Sequence, residues 1–69
     1  MFNKLEFKAQ IARKGMLQKD VAKALGIDVS TLYRKVEKDG DFSREEMATL
    51  IELLDIKDPK AIFFADELA

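Results

Sequence analysis

The sequence predicts an all-α fold, a compact bundle of five helices that contains a helix-turn-helix at about residues 18–37. Two observations support this prediction. Apolar residues recur at intervals of three and four, which is the spacing of one helix face, in successive segments of the chain. The three glycines and the single proline fall between those segments, where helices begin and end. With 69 residues the chain is expected to form a single domain over 1–69.

The first two helices are short. Asn3 followed three residues later by Glu6 is similar to a capping box and predicts a first helix over about 4–14. Its apolar positions at helical spacing are Leu5, Phe7, Ala9, Ile11 and Ala12. A second helix is predicted from about Gln18, and Gly26 ends it because glycine readily adopts the left-handed conformation of a helix C-terminus. The apolar residues of that helix are Val21, Ala22 and Leu25.

A third helix is predicted after Asp28. The carboxylate of Asp28 is expected to accept hydrogen bonds from the free N–H groups of the first helical turn. Leu32 and Val36 lie one turn apart on this helix, and the pair Asp39-Gly40 ends it. Most of its remaining side chains are polar or cationic, so one face is expected to be exposed to solvent.

The fourth helix has the clearest start, because Ser43 and Glu46 have the spacing of a capping box. Apolar residues surround that start and continue at helical spacing, namely Phe42, Met47, Leu50, Ile51 and Leu54. Asp58 followed by Pro59 favours a short fifth helix, since proline suits the first helical position. That helix carries Ile62, Phe63 and Phe64.

Charge is distributed unevenly along the chain, although the net charge is only −1. Residues 1–38 carry nine basic and four acidic side chains, a net charge of +5, and residues 39–69 carry three basic and nine acidic ones, a net charge of −6. This asymmetry favours a protein with a cationic working face and an anionic opposite side.

Several classes of function are excluded or made improbable by the composition. The chain has no cysteine and no histidine, so neither a disulfide nor a zinc site is expected, and no cofactor is expected. An enzyme is improbable because there is no glycine-rich phosphate loop, and the carboxylates are explained by helix capping and solubility. No apolar run is long enough to cross a bilayer and no signal peptide is visible, which predicts a cytoplasmic protein without a membrane partner.

The segment 18–37 has the residues that two crossing helices require. Ala22 is small where the helices approach closely, and Gly26 permits the tight turn between them. The wedge between the helices would be filled by Val21, Leu25, Ile27 and Leu32. This segment resembles the helix-turn-helix of phage repressors and Cro proteins, and the resemblance extends over about 3–64, including the Phe42-Ser43 start of the fourth helix.

The resemblance implies a lambda-repressor-like DNA-binding domain. A phage or prophage Cro-like transcriptional regulator that represses by covering an operator is therefore expected, located in the cytoplasm or nucleoid of a bacterial host. Members of this family usually act as homodimers on palindromic double-stranded DNA, with half-sites about one helical turn apart. No small-molecule ligand is expected.

Two positions depart from the usual pattern of the family. Leu17 stands where a hydroxyl residue often caps the second helix. Lys35 occupies a position that is usually apolar, and the apolar residue arrives one position later as Val36. Because helix residues step by about 100°, burial of Leu32 with position 35 and burial of Leu32 with Val36 give two orientations of the third helix that differ by about 50°.

Both orientations turn Ser30 and Arg34 outward, so these residues are the first candidates for contacts with base edges. Arginine can donate two hydrogen bonds to guanine, whereas serine specifies less. In the first orientation Val29, Tyr33 and Glu37 also face outward. In the second, Val29 turns towards the core, Thr31 and Lys38 face outward, and Tyr33 and Lys35 lie on the flanks. A solvent-exposed Arg34, or one paired with Glu37 or Glu6, is the alternative to base reading.

Phosphate contacts are expected from four residues. The resemblance implies a phosphate contact for Gln18 at the start of the second helix, where free N–H groups also favour an anion. Suitable cations nearby on the sequence are Lys19, Lys35 and Lys38, which would fix the register on DNA without reading sequence.

A homodimer surface is expected around the fifth helix and the loop before it, because one short domain offers few contacts for tight binding alone. The candidate contacts are Ile56, Ile62, Phe63 and Phe64, unless most of these complete the core. The alternative function is a small protein-binding adaptor that uses the acidic and apolar C-terminal half.

Overall fold

The computed structural model describes residues 1–68, which contain five α-helices and no strand. The helices are α1 (Lys4–Arg13), α2 (Gln18–Leu25), α3 (Val29–Glu37), α4 (Arg44–Leu53) and α5 (Pro59–Phe63), and a short 3-10 helix follows at Ala65–Leu68. The predicted all-α architecture is confirmed. The radius of gyration of 11.0 Å equals the value of about 11 Å expected for a compact chain of this length.

Three of the predicted helix starts are confirmed by their hydrogen bonds. The side-chain oxygen of Asn3 accepts from the N–H of Glu6 at 3.0 Å. At the start of α4, the hydroxyl of Ser43 accepts from the N–H of Glu46 at 3.1 Å, and the carboxylate of Glu46 accepts from the N–H of Ser43 at 2.9 Å. The start of α5 is capped in the same way by Asp58. Each bond satisfies an N–H group that the helix itself leaves unpaired.

The starts of α2 and α3 differ from the other three. Leu17 precedes α2 without a side-chain cap, as expected, but the carboxylate of Asp20 accepts from the N–H of Leu17 at 2.9 Å and so supplies half of a capping box. The predicted cap at α3 is wrong, because the side chain of Asp28 makes no hydrogen bond to that helix start. Gly26 ends α2 with a φ of +73°, the left-handed conformation predicted for it.

Four phenylalanine side chains, which we call the aromatic cluster, form one end of the core: Phe2, Phe7, Phe42 and Phe63. Ring centroids lie 5.2 Å apart for Phe2 and Phe7, 6.0 Å for Phe7 and Phe42, and 6.4 Å for Phe42 and Phe63. Such separations are those of favourable aromatic contacts. The cluster therefore joins the N-terminal segment, α1, the α3–α4 loop and α5.

The backbone of the N-terminal segment is bonded to two other parts of the chain. The N–H of Phe2 donates to the carboxylate of Asp39 at 2.8 Å, and the N–H of Asn3 donates to the carbonyl of Ile62 at 2.7 Å. These bonds hold Phe2 over the α3–α4 loop and beside α5, and Phe2 is buried as a result.

The other end of the core is aliphatic. It is formed by Val21, Ala22, Leu32 and Val36, with Leu50 of α4 and Leu54 just after that helix beside them. α2 contacts both α3 and α4. Ala22 is almost fully buried, which agrees with the need for a small side chain where α2 meets its neighbours.

Most of the apolar residues considered for a dimer contact around α5 complete the core, which is the alternative that the sequence left open. Ile56, Ile62 and Phe63 are buried and complete the core, because the N-terminal segment and α1 pack against α5. Phe64 remains 45% exposed and is the only one of the four that offers a surface to a partner. In the part of the chain described here, every helix falls short of the length and apolarity that crossing a membrane requires.

Candidate nucleic-acid interface

The side of α3 that faces the core carries Leu32 and Val36. Leu32 is fully buried and Val36 nearly so, whereas Lys35 lies at the edge with its side chain 23% exposed. Val29 is half-buried and packs against the core. Of the two orientations that the sequence allowed, the structure has the one in which Val36, and not position 35, faces inward.

The opposite side of α3 faces solvent, and we call it the reading face. It consists of Ser30, Arg34 and Lys38, which are exposed, and Thr31, which is half-buried. Arg34 lies about 180° around the helix from the line midway between Leu32 and Val36, so it lies at the centre of this face. Tyr33 is exposed on one flank.

Arg34 makes no ion pair with any residue in 1–68. The two carboxylates that could have held it are engaged elsewhere: Glu6 bonds Arg13 at 2.6 Å, and Glu37 bonds Lys4 at 3.1 Å. The hydrogen bond that Arg13 donates to Glu6 raises the pKa of Arg13. Arg34 therefore keeps its hydrogen-bond donors for an external acceptor.

Lys35, in contrast, is bound within the molecule. Its ammonium nitrogen lies 3.4 Å from the carboxylate of Glu46 and 3.4 Å from the carbonyl oxygen of Asp41. The pKa of Glu46 is lowered first by the hydrogen bond from the N–H of Ser43 and then by the charge of Lys35. The structure thus places Lys35 in an internal ion pair and separates it from the exposed lysines with which the sequence grouped it.

The start of α2 presents two of the residues expected to contact phosphate. Gln18 is half-buried and Lys19 is exposed. Neither Lys19 nor Lys38 forms an ion pair with another residue of the described range, so both charges are available to a polyanion. Lysine binds phosphate as a point charge without strict geometry.

A shallow groove of about 470 Å³ at the α2–α3 turn brings together residues that the sequence did not connect. It is lined by Lys23, Gly26, Ile27, Asp28 and Thr31. Lys23 was visible in the sequence only as one basic residue among nine. Its position beside the start of α3 follows from the tight turn at Gly26, which no residue pattern reports directly.

The groups exposed at this surface are hydrogen-bond donors and cations. A guanidinium, three hydroxyls and several ammonium groups lie on α3 and α2. In residues 1–68, acidic side chains do not form a group that could hold a metal ion. Guanidinium and hydroxyl groups can bond base edges, and ammonium groups can neutralise phosphates.

Comparisons with known proteins identify no relative. No family model matches the chain, no curated protein matches it, and no solved structure matches it at a significant level.

Proposed function

We propose that this protein is a sequence-specific double-stranded DNA-binding regulator of transcription, in which α2 and α3 form a helix-turn-helix and α3 enters the major groove. The observation that carries the proposal is the state of Arg34, which is exposed, central on the outward side of α3 and without an acidic partner in residues 1–68. An α-helix fits the major groove of B-DNA, and arginine bonded to guanine is the commonest specific contact there.

The proposed roles follow from exposure and chemistry. Arg34 reads guanine through its O6 and N7 atoms, and Ser30 bonds a neighbouring base. Thr31 and Tyr33 lie at the two edges of the reading face, where a hydroxyl reaches a base or a phosphate. Val29 is half-buried, so only the exposed part of its side chain can contact a thymine methyl group.

Phosphate binding is assigned to Gln18, Lys19 and Lys38. Gln18 and Lys19 lie at the start of α2, Lys38 lies at the C-terminal end of the reading face, and the two lysines are exposed. The ion pair between Lys4 and Glu37 also supports the proposal, because it neutralises the one carboxylate of α3 that phosphate would otherwise repel.

A homodimer on palindromic DNA is part of the proposal, with repression by occlusion of a promoter as its simplest mechanism. One domain of this size makes few base contacts, and two copies on adjacent half-sites double them. Phe64, 45% exposed next to the buried Phe63, is the remaining candidate for the contact between copies.

A protein-binding adaptor is the second candidate, and one observation favours it. Met1 and Leu5 are exposed and line a groove of about 510 Å³ with Val36 and Ala65. Apolar surfaces of this kind serve protein partners more often than nucleic acids.

Binding of labelled random-sequence duplex DNA at several salt concentrations tests the proposal against the adaptor. We expect binding near 50 mM salt that weakens steeply by 200 mM. Binding releases cations from the DNA phosphates, and this release becomes less favourable as the salt concentration rises. The variant Lys19→Met should reduce the slope of log K against log salt by about 0.9 per site. The matched control is Lys60→Met, which removes an exposed lysine of α5 and should leave the slope unchanged. Absence of binding at low salt would refute the proposal.

A further inference from the structure

We propose that Lys35 is a positioning residue that fixes the rotation of α3 for base reading and does not contact phosphate. This inference rests on the proposed function and deepens it. The internal ion pair between Lys35 and Glu46 sets the angle at which Arg34 meets the DNA.

The side chain of Lys35 crosses from α3 to α4. Its ammonium group lies 3.4 Å from Glu46 and 3.4 Å from the carbonyl of Asp41, and the two charged side chains are only 23% and 19% exposed. Glu46 is itself fixed, because its carboxylate also accepts from the N–H of Ser43 at 2.9 Å. The pair therefore joins α3 to a carboxylate that cannot easily move away.

The backbone of Lys35 holds the same loop. The N–H groups of Gly40 and Asp41 both donate to the carbonyl oxygen of Lys35 at 3.0 Å. Asp39 and Gly40 turn the chain with φ values of +59° and +71°. One residue thus connects the end of α3 to the start of α4 through both its side chain and its carbonyl.

The position of Lys35 around the helix explains why this connection controls rotation. With about 100° per residue, Lys35 lies roughly 80° from the line midway between Leu32 and Val36, and Arg34 lies opposite that line. The apolar residues on one side of α3, Leu32, Val36 and the half-buried Val29, hold the helix against the core. They restrain its roll less than a directional contact does, since dispersion contacts have no strict direction. An ion pair on the flank supplies that restraint.

The opposite flank of α3 is held less firmly. The ion pair between Lys4 and Glu37 joins α1 to α3, but its side chains are 46% and 61% exposed. Exposed ion pairs contribute little because water and salt screen them. The Lys35–Glu46 pair is therefore the stronger of the two restraints, and its loss would let α3 roll and carry the Arg34 guanidinium out of the geometry that two hydrogen bonds to one base require.

The test compares Lys35→Met and Glu46→Gln on two DNA probes, the duplex that the wild-type protein selects from a random pool and an unrelated duplex of equal length. Glutamine can retain the capping hydrogen bond of Glu46 while removing its charge. The matched controls are Lys19→Met, a proposed phosphate contact, and Glu45→Gln, which removes an exposed carboxylate from the same helical turn as Glu46. Circular dichroism confirms that each variant is folded at the temperature of the binding measurement.

A positioning role predicts that Lys35→Met weakens binding to the selected duplex about fivefold, the equivalent of an ion pair worth about 1 kcal/mol. Binding to the unrelated duplex should weaken much less, as expected from the lost charge alone, and the salt slope should not change. Glu46→Gln should weaken selected binding about threefold, and the double variant should be no worse than Lys35→Met. The direction in which Glu46→Gln changes the affinity for DNA is decisive. Removal of a negative charge alone would strengthen DNA binding, as we expect for Glu45→Gln.

Two results would overturn the inference while the proposed function stands. One is equal weakening on both duplexes by Lys35→Met with a reduced salt slope, the behaviour expected of Lys19→Met, which would make Lys35 a phosphate contact. The other is wild-type affinity in both variants. If the wild-type protein itself binds no DNA, the proposed function fails first and this inference fails with it.

Discussion

The aromatic cluster and the reading face of α3 depend on opposite chemistry within one small chain. The cluster consists of four buried rings, and helices, a loop and the N-terminal segment are all needed to close it. The reading face consists of polar and cationic side chains, of which Ser30, Arg34 and Lys38 are exposed to solvent. The difference teaches that stability and the proposed DNA binding are assigned to separate residues, so mutations should change one without the other.

The largest expected effect is on the cluster. Phe7 is fully buried and contacts both Phe2 and Phe42, so Phe7→Ala should lower the free energy of unfolding by about 3–5 kcal/mol. For a chain of this length that is a large part of the total stability. Urea unfolding followed by circular dichroism measures the change.

Leu5→Ala is the matched control on the same helix, because Leu5 is 76% exposed. It should change the free energy of unfolding by less than about 0.5 kcal/mol. A loss of less than 1 kcal/mol in Phe7→Ala would contradict the assignment of stability to the cluster.

Gly40 lies in the loop that joins the two regions and should show the next largest effect. A Cβ at this position would lie 2.8 Å from the Cβ of Phe2 and closer still to its ring. Gly40→Ala should therefore cost about 1–3 kcal/mol more than Gly15→Ala. Gly15 has a similar φ of +67° but open space around it, so the difference between the two variants isolates the contact with Phe2. Equal losses would show that this contact is absent.

The capping box of α4 should contribute a smaller amount. Ser43→Ala removes the acceptor for the N–H of Glu46 and should lower the free energy of unfolding by about 1 kcal/mol. Thr49→Ala, which removes another exposed hydroxyl from α4, serves as the control and should cost under about 0.5 kcal/mol. Comparable losses of unfolding free energy in the two variants would show that the cap contributes no more stability than another exposed hydroxyl.

Acid should produce the smallest change in the free energy of unfolding. This change arises from Glu46, which lies where the two regions meet. The pKa of folded Glu46 lies below its ordinary value because of the Ser43 N–H group and Lys35. The stability that Glu46 contributes is therefore fully present above the pKa of glutamate in the unfolded chain, and it is lost as the pH falls through the lower pKa of the folded state.

Thermal unfolding between pH 6 and pH 3 measures this contribution, which should be under about 1 kcal/mol. Glu46→Gln should lose less stability than the wild-type protein over that interval, whereas Glu45→Gln should follow the wild-type curve. An identical decline in wild type and Glu46→Gln would exclude the ion pair as a source of acid sensitivity.

Local patterns were sufficient to predict the helices. The starts at Asn3, Ser43 and Asp58 follow from capping residues a few positions from their partners, and the end at Gly26 follows from its backbone freedom. Such signals act over one turn of helix, so the sequence contains them in full.

Tertiary neighbours decided what the sequence left open or predicted wrongly. Ile56, Ile62 and Phe63 are buried because the N-terminal segment folds back beside α5, an event with no local signal. The orientation of α3 was open until Val36 was seen in the core, and the pairing of Lys35 with Glu46 joins residues on different helices. Ser30 and Arg34 could be singled out in advance because both orientations expose them.

The most direct test of the central claim is selection of binding sites from random duplex DNA by the wild-type protein and by Arg34→Ala. The proposal predicts a palindromic consensus with a guanine in each half-site for the wild-type protein. It also predicts that Arg34→Ala relaxes that position, with a loss of discrimination of about 1–3 kcal/mol and no change in unfolding. Failure of the wild-type protein to enrich any sequence, or an unchanged consensus in Arg34→Ala, would contradict the assignment of α3 as the recognition helix.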